Sequence, residues 1–276
     1  MELTERQFKR ISDLVYQRAG IHLTGAKKNL VMGRLSKVLT SMNFTSYDDY
    51  IDYVENDRSN QALSVLINRI ATNHTYFWRE NSHFDYFTNT VLPETVQKKK
   101  AKGDHDLRIW CAGCSFGDEA YTLMMLIMEF FGVEYGAWRP GLLATDISTD
   151  ALTKAVNGIY PPDRLKDLPP ALRNKYFRKM SDGAYQVSSQ VRDEIIFRRF
   201  NLMSEVFPFK KPFDVIFCRN VMIYFDKPTR DALVKRFAKS LVPGGYLFIG
   251  HSESLGRDSD EMLYVKPAVY RRAGGT

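Results

Sequence analysis

The run Ile109, Trp110, Cys111, Ala112, Gly113, Cys114, Ser115, Phe116, Gly117, Asp118, Glu119 carries an apolar, β-prone stretch through two glycines into a helix start. At such a turn the backbone approaches a ligand closely, and the helix N-terminus offers unpaired N–H groups. The spacing is neither the dinucleotide Gly-x-Gly-x-x-Gly nor a phosphate loop, which ends in Gly-Lys-Ser/Thr. Asp118 and Glu119 at the helix start repel a pyrophosphate and favour a cation. The next strand ends at Ala144, Thr145, Asp146, where a carboxylate is placed to accept hydrogen bonds from ribose hydroxyls. As a helix N-cap Asp146 is redundant, because Ser148 or Thr149 serves. A cationic adenosyl ligand without phosphates satisfies both features, and S-adenosylmethionine is such a ligand. Cys111 and Cys114 have Cys-x-x-Cys spacing, but neither a second pair nor a nearby His completes a zinc site, so no metal is expected.

The elements that must hold these residues follow from the periodicity. From Met1 to about Gln97 it is helical. Thr4 and Gln7 form a capping box ahead of Phe8, Ile11, Leu14 and Val15, and Gly20 is the expected stop. A helix from Ala26 to Met42 carries Leu30, Val31, Leu35, Val38, Leu39 and Met42. Ser46 and Asp49 open a third, with Tyr47, Tyr50, Ile51 and Val54, and a fourth carries Leu63, Leu66, Ile67 and Ile70. These make a small bundle. After Lys98, Lys99, Lys100, Lys102 and Gly103 the period changes. Strands are expected at 107–112, 142–146, 213–218, 245–250 and 265–270, and helices at 117–131, 149–157 and 228–241. That alternation predicts an α/β fold with a doubly wound, mostly parallel sheet. Between Pro169 and Asn201, β-prone pieces at 176–180, 184–187 and 194–200 with an Asp182-Gly183 turn predict an inserted antiparallel element. The expected domains are 1–97, helical with a linker, and 98–276, the sheet domain, with the insertion at about 170–198.

Composition bounds the function. The 276 residues are 44% hydrophobic and 26% charged, which fits packed globular domains and argues against a disordered or disulfide-stapled chain. The longest apolar stretch, Leu123 to Phe131, is interrupted by Glu129 and falls far short of the roughly 20 residues of a spanning helix. Met1 to Arg6 has no signal-peptide core, so a cytoplasmic location without membrane insertion is expected. The formal charge of +7 is spread along the chain with no run of five or six basic residues, so nucleic acid is not the expected partner.

Two separated strings add a resemblance. Thr72, Asn73, His74, Thr75, Tyr76, Phe77, Trp78, Arg79, Glu80 resembles the T-N-x-T-x-F-F-R-E segment of the CheR family, the bacterial chemotaxis receptor methyltransferases. Arg219, Asn220, Val221, Met222, Ile223, Tyr224, Phe225 matches that family's R-N-V-M-I-Y-F. The likeness extends over essentially the whole chain, to the Gly-Gly strand and His251, Ser252, Glu253. Trp78 stands where the family has Phe, and Gly113 and Cys114 where it often has Ala or Ser.

The resemblance implies a class I S-adenosylmethionine-dependent methyltransferase sheet with a small N-terminal helical domain and an inserted small antiparallel β subdomain. Asn73, Thr75, Arg79, Glu119, Asp146, Asn201, Leu202, Arg219 and Asn220 are implied to surround the cofactor, together with Gly113 of the loop. Arg79 and Tyr224 are implied to position the cofactor's methionine end and the acceptor. That acceptor is a receptor glutamate carboxylate, esterified to a γ-glutamyl methyl ester, with S-adenosylhomocysteine as the other product. The partners implied are cytoplasmic domains of chemotaxis receptors; a monomer is expected and a regulatory partner stays open. Lys27, Arg34 and Lys37 fall within an arc of roughly 80° on the second helix, and are implied to face acidic receptor helices. In some members the β insertion binds a receptor C-terminal pentapeptide, with a longer glycine-rich loop. Here the turns at Ser181 to Gly183 and Ser188 to Gln190 are short, so no tether is expected. A nucleic-acid methyltransferase acting on adenine would carry Asn/Asp-Pro-Pro-Tyr/Phe where Arg219, Asn220, Val221, Met222 stand. A non-catalytic cofactor-binding adaptor remains the alternative from another class.

Overall fold

The computed structural model describes residues 2–71, 73–256 and 261–274; Thr72 of the first motif lies outside them. Helix α1 (Glu5–Ala19) starts at the capping box of Thr4 and Gln7 and stops at Gly20, whose φ of 69° is in the left-handed region. A single 3-10 turn leads into α2 (Lys28–Ser41), followed by α3 (Tyr47–Asn56), opened by the Ser46 hydroxyl accepting from the Asp49 N–H, and α4 (Gln61–Ile70). Their apolar faces share one core, centred on Ile11, Val15, Leu35, Tyr50 and Leu66. Leu30 and Met42, both expected on the buried stripe, are 45% and 38% exposed. Leu30 lies about 100° from Val31 on the side away from Leu35, and Met42 caps the helix and leaves its axis.

Helix α5 (Ser82–Tyr86), one π-helical turn at Phe87–Val91, and α6 (Leu92–Lys100) follow. Phe84, Phe87, Val91, Leu92 and Val96 are buried in the core of the sheet domain, not in the bundle. By packing, then, the bundle ends near Ala71, and the segment expected to link it as far as 97 lies on the sheet domain. An amphipathic pattern shows that a face will be covered, and not by what.

The sheet domain runs β1 (Arg108–Ala112), α7 (Asp118–Phe131), β2 (Gly141–Asp146), α8 (Thr149–Asn157), β3 (Ile159–Tyr160), α9 (Pro170–Tyr176), β4 (Phe177–Lys179), β5 (Tyr185–Val187), α10 (Ser189–Arg192), β6 (Ile195–Arg199), β7 (Phe213–Cys218), α11 (Lys227–Ser240), β8 (Leu241–Ile249), β9 (Met262–Lys266) and β10 (Val269–Arg272). The main sheet has the order β6-β2-β1-β7-β8-β10-β9, parallel from β6 to β8, with β10 antiparallel to both its neighbours. Strand order reverses between β1 and β7, which opens a crevice at their C-terminal ends.

Two expectations change. The final strand expected at 265–270 is a hairpin of β9 and β10, turned at Ala268 with φ 62°. Strand β6, expected within the insertion, joins the main sheet beside β2, and the small antiparallel sheet is β3-β5-β4 instead. Its β4–β5 turn is the expected one: Gly183 has φ 88° and the Asp182 carboxylate accepts from the Ala184 N–H. Under the sheet, Trp110 is fully buried among Phe200, Phe207, Phe209, Phe213 and Phe237, its indole N–H donating to the Thr145 hydroxyl at 2.9 Å.

Candidate active site

The loop after β1 is held by backbone geometry. The Gly113 and Cys114 N–H groups donate to the Thr145 carbonyl, which ties the tips of β1 and β2 together. A Cβ on Gly113 would stand 2.4 Å from Val221 Cγ2, so only glycine permits this approach. Ser115 follows with a left-handed φ of 50°. Its N–H donates to one Asp146 oxygen and the Ser148 N–H to the other, both at 2.8 Å, while the Ser148 hydroxyl caps α8. Asp146 is therefore a loop clamp rather than a cap, and each oxygen keeps a further lone pair. Burial pushes its carboxyl above the usual value and the Ser148 and Ser115 N–H bonds pull it back. The buried Ser115 hydroxyl has no partner among the described residues. An orphaned donor beside a carboxylate is the pair that a nucleoside ligand satisfies.

Facing this loop lies an ionic node. Arg219, with 2% of its side chain exposed, donates to Glu119 at 2.8 Å, to Glu80 at 3.1 Å and to the Arg79 carbonyl. Glu80 also accepts from the Asn220 amide and the His251 N–H, each at 3.2 Å, and lies 3.9 Å from the Arg79 guanidinium. Burial acts to raise the Glu80 carboxyl, but the Arg219 charge and the hydrogen bonds from Asn220 and Arg219 outweigh it and hold Glu80 below its ordinary value. Glu253, itself buried, accepts from the N–H groups of Asn220, Ile223 and Gly250, which fixes the turn after β7. A Cβ on Gly250 would come within 2.4 Å of the Asn220 amide. Trp78, Glu80, Ser115 and Asn220 all have positive φ, so strained backbone gathers around this one place.

Between loop and node a cleft of about 1060 Å³, counted to its open mouth, is lined by Asn73, Thr75, Arg79, Gly113, Glu119, Asp146, Asn201, Leu202, Arg219, Asn220 and Tyr224. All the residues expected around a cofactor thus meet in one space, with Tyr76, Ile147, Phe200 and Phe225 adding apolar wall. Several also make hydrogen bonds within the protein. Glu119 is engaged by Arg219 and by the Cys111 thiol, and the Asn201 amide donates to the Arg18 carbonyl at 2.7 Å. Arg79 donates to the His74 carbonyl at 2.8 Å, and the Tyr224 carbonyl accepts from the His22 N–H. The bundle itself contributes Ala19, Ile21, Ile70 and Ala71 to the lining.

The three basic residues of α2 and its approach lie outside the cleft and do not act alike. Lys27 sits 5.6 Å over the Tyr224 ring and Lys37 is exposed. Arg34, expected at a receptor contact, donates to the Ile70 carbonyl at 2.6 Å and reaches those of Arg69 and Ala71, closing the C-terminus of α4. Arg34→Glu is expected to lower stability by about 1–2 kcal/mol through lost capping, read as a drop in the thermal midpoint. An unchanged midpoint would contradict that role.

Glu80, Glu253 and Ser115 are the residues at and around the cleft that sequence reasoning did not assign to the site. Glu80 stood beside Arg79, but its left-handed backbone and its reach to β7 leave no trace in spacing. Among the described residues, Glu80, His83 and His251 bring candidate ligand atoms within 4.8 Å of one another. The Glu80 carboxylate is already taken by Arg219 and Asn220. His83 is 1% exposed and held neutral, its pKa pushed down to about 3 by burial and by the nearby Arg219 charge.

Comparison with known proteins places these residues in a family. Residues 6–71 match the CheR methyltransferase, all-alpha domain, and residues 73–270 the CheR methyltransferase, SAM binding domain, which spans both motifs and the loop after β1. A chemotaxis protein methyltransferase of Borreliella burgdorferi is 41% identical over 272 residues, covering 99% of this chain and 96% of that one. The chemotaxis protein methyltransferase of Escherichia coli K12 is 35% identical over 257 residues, covering 92% and 86%. A protein with this cleft, both motifs and both domains in this order belongs to the CheR methyltransferase family.

Proposed function

We propose that this chain transfers the methyl group of S-adenosylmethionine to side-chain carboxylates of glutamates in chemotaxis receptors, giving γ-glutamyl methyl esters. The observation that carries the reading is that Arg79 and Tyr224 line the same cleft as Asp146 and Ser115, so acceptor-orienting and nucleoside-holding groups share one space. A glutamate is ionised at neutral pH and attacks without a general base. What remains for the protein is alignment and exclusion of water.

The cofactor supplies an electrophilic methyl group on a sulfonium. Asp146 and the Ser115 hydroxyl hold its ribose, the Ile147 and Phe200 side chains cover its base, and Glu119 faces its cationic end. The Arg79 guanidinium and the Tyr224 hydroxyl orient the acceptor carboxylate. No helix among the described residues is long and apolar enough to cross a membrane. The exposed Lys37, with Lys27 nearer the cleft, steers acidic receptor helices toward the mouth. The short β4–β5 turn supports action without a pentapeptide tether.

The test is incubation with methyl-labelled cofactor and receptor, with and without the receptor tail, followed by mild alkali. Volatile labelled methanol is expected from both receptors. Label that resists alkali, as on an amine or a nucleobase, would defeat the ester reading, and loss of transfer on tail removal would defeat the untethered one. Lys37→Glu is expected to lower transfer roughly threefold at low salt and to flatten its salt dependence, with cofactor affinity unchanged. Equal transfer at low salt would remove Lys37 from recognition.

A further inference from the structure

Glu80 is not among the residues lining the cleft, yet it is the group to which the two motifs are tied. Its carboxylate receives Arg219, Asn220 and the His251 N–H, and stands 3.9 Å from Arg79. The charges around it balance: two guanidiniums, Arg79 and Arg219, against two carboxylates, Glu80 and Glu119. The node is largely shielded from water: the side chains of Arg219, Glu80, Glu119 and Arg79 are 2%, 14%, 15% and 25% exposed. In such surroundings one uncompensated charge acts well beyond contact distance.

The two ligands that alternate in this cleft differ mainly in one charge. S-adenosylmethionine carries a sulfonium, an ammonium and a carboxylate, one net positive charge; its demethylated product has lost the sulfonium charge and is neutral overall. We propose that Glu80 is a specificity-determining positioning residue that sets the preference between cofactor and product, by keeping the node from presenting net positive charge to the sulfonium. Without the Glu80 charge, the node of Arg79, Arg219 and Glu119 carries one positive charge. It then opposes the cationic ligand and leaves the neutral one largely indifferent. One unit charge across roughly 10 Å at an effective dielectric of about 20 corresponds to about a tenfold change in binding. The effect is distinct from geometric support, which weakens both ligands together.

This rests on the reading of the cleft as the cofactor site, and the experiment separates the two. Calorimetry with ligand-stripped full-length protein measures both S-adenosylmethionine and S-adenosylhomocysteine on wild type, Glu80→Gln, Glu80→Asp and Asp146→Ala. Glu80→Gln is expected to weaken the cofactor about tenfold more than the product. Glu80→Asp keeps the charge while retracting it, and both affinities are expected to fall in parallel, their ratio staying within about twofold of wild type. Equal losses for both ligands in Glu80→Gln would overturn the proposal. Should that variant not fold, a tenfold change of the ratio in Glu80→Asp would overturn it in its place. Wild-type affinities for both ligands in Asp146→Ala would instead overturn the cleft assignment itself.

Discussion

Arg219→Met is expected to remove measurable cofactor binding and to cost about 3–5 kcal/mol of stability, the range for deleting one member of a buried ionic cluster. In the native protein Arg219 satisfies Glu119, Glu80 and the Arg79 carbonyl at once. Its loss leaves two largely buried carboxylates with Arg79 as the one guanidinium of the node still beside them. The pH dependence changes sign. Native Glu80 has a lowered pKa against its burial, so its contribution to stability is present at neutral pH and is lost as pH falls through that lowered value. In the variant, burial without Arg219 raises the pKa, so the protonated form suits the fold and stability is lost as pH rises toward neutrality. Chemical denaturation at pH 3, pH 5 and pH 7.5, with calorimetry at the upper two, tests both statements. A variant that binds cofactor within threefold of wild type, or that stays more stable at the higher pH, would contradict the role given to the node.

The second large effect belongs to Asp146. Asp146→Ala strands the Ser115 and Ser148 N–H groups, both held by that carboxylate at 2.8 Å. It also frees Ser115 to leave its left-handed conformation. Cofactor affinity is expected to fall by about a hundredfold or more, from the lost ribose acceptor and the unclamped loop, against a stability change of only about 1–2 kcal/mol. Calorimetry and a denaturant titration together decide it. A fivefold loss or less would mean that the carboxylate holds the loop and not the ligand. Asp146→Asn separates the contributions further, because its amide keeps one oxygen acceptor and turns a donor toward the other N–H.

Local chemistry made much of this structure legible. Thr4 and Gln7, Gly20, Ser46, and Asp182 with Gly183 act through neighbours two to four residues away, and each does in the structure what its type requires. The run from Phe213 to Cys218 and the helix from Thr149 to Asn157 end where expected because turn residues bound them. Long-range choices were hidden. The Ile195–Arg199 segment reads equally well as part of a small hairpin or as an edge beside β2; the pairing of Leu142 with Ile195 is settled only by folding. Residues 265–270 read as one strand because Pro267 and Ala268 carry no glycine to signal the turn. Arg34 shares its helix face with Lys37, and only the approach of the α4 carbonyls gives it a different task. The cleft residues were found because motif and strand-tip logic both point to the C-terminal edge of the sheet.

The seam between bundle and sheet has a kinetic meaning. Ala19, Ile21, Ile70 and Ala71 form part of the wall around the cleft. The seam is pinned by Tyr16 on Asp226, Asn201 on the Arg18 carbonyl and the His22 N–H on the Tyr224 carbonyl. A ligand held there is enclosed by two bodies with separate cores. Loosening those pins would widen the cleft beyond its open mouth, so the opening rate of the seam would add to the affinity of the pocket in setting how long spent cofactor stays. On the function proposed above, a receptor helix pressing on the bundle would press on part of the wall of the cleft that holds the methyl donor.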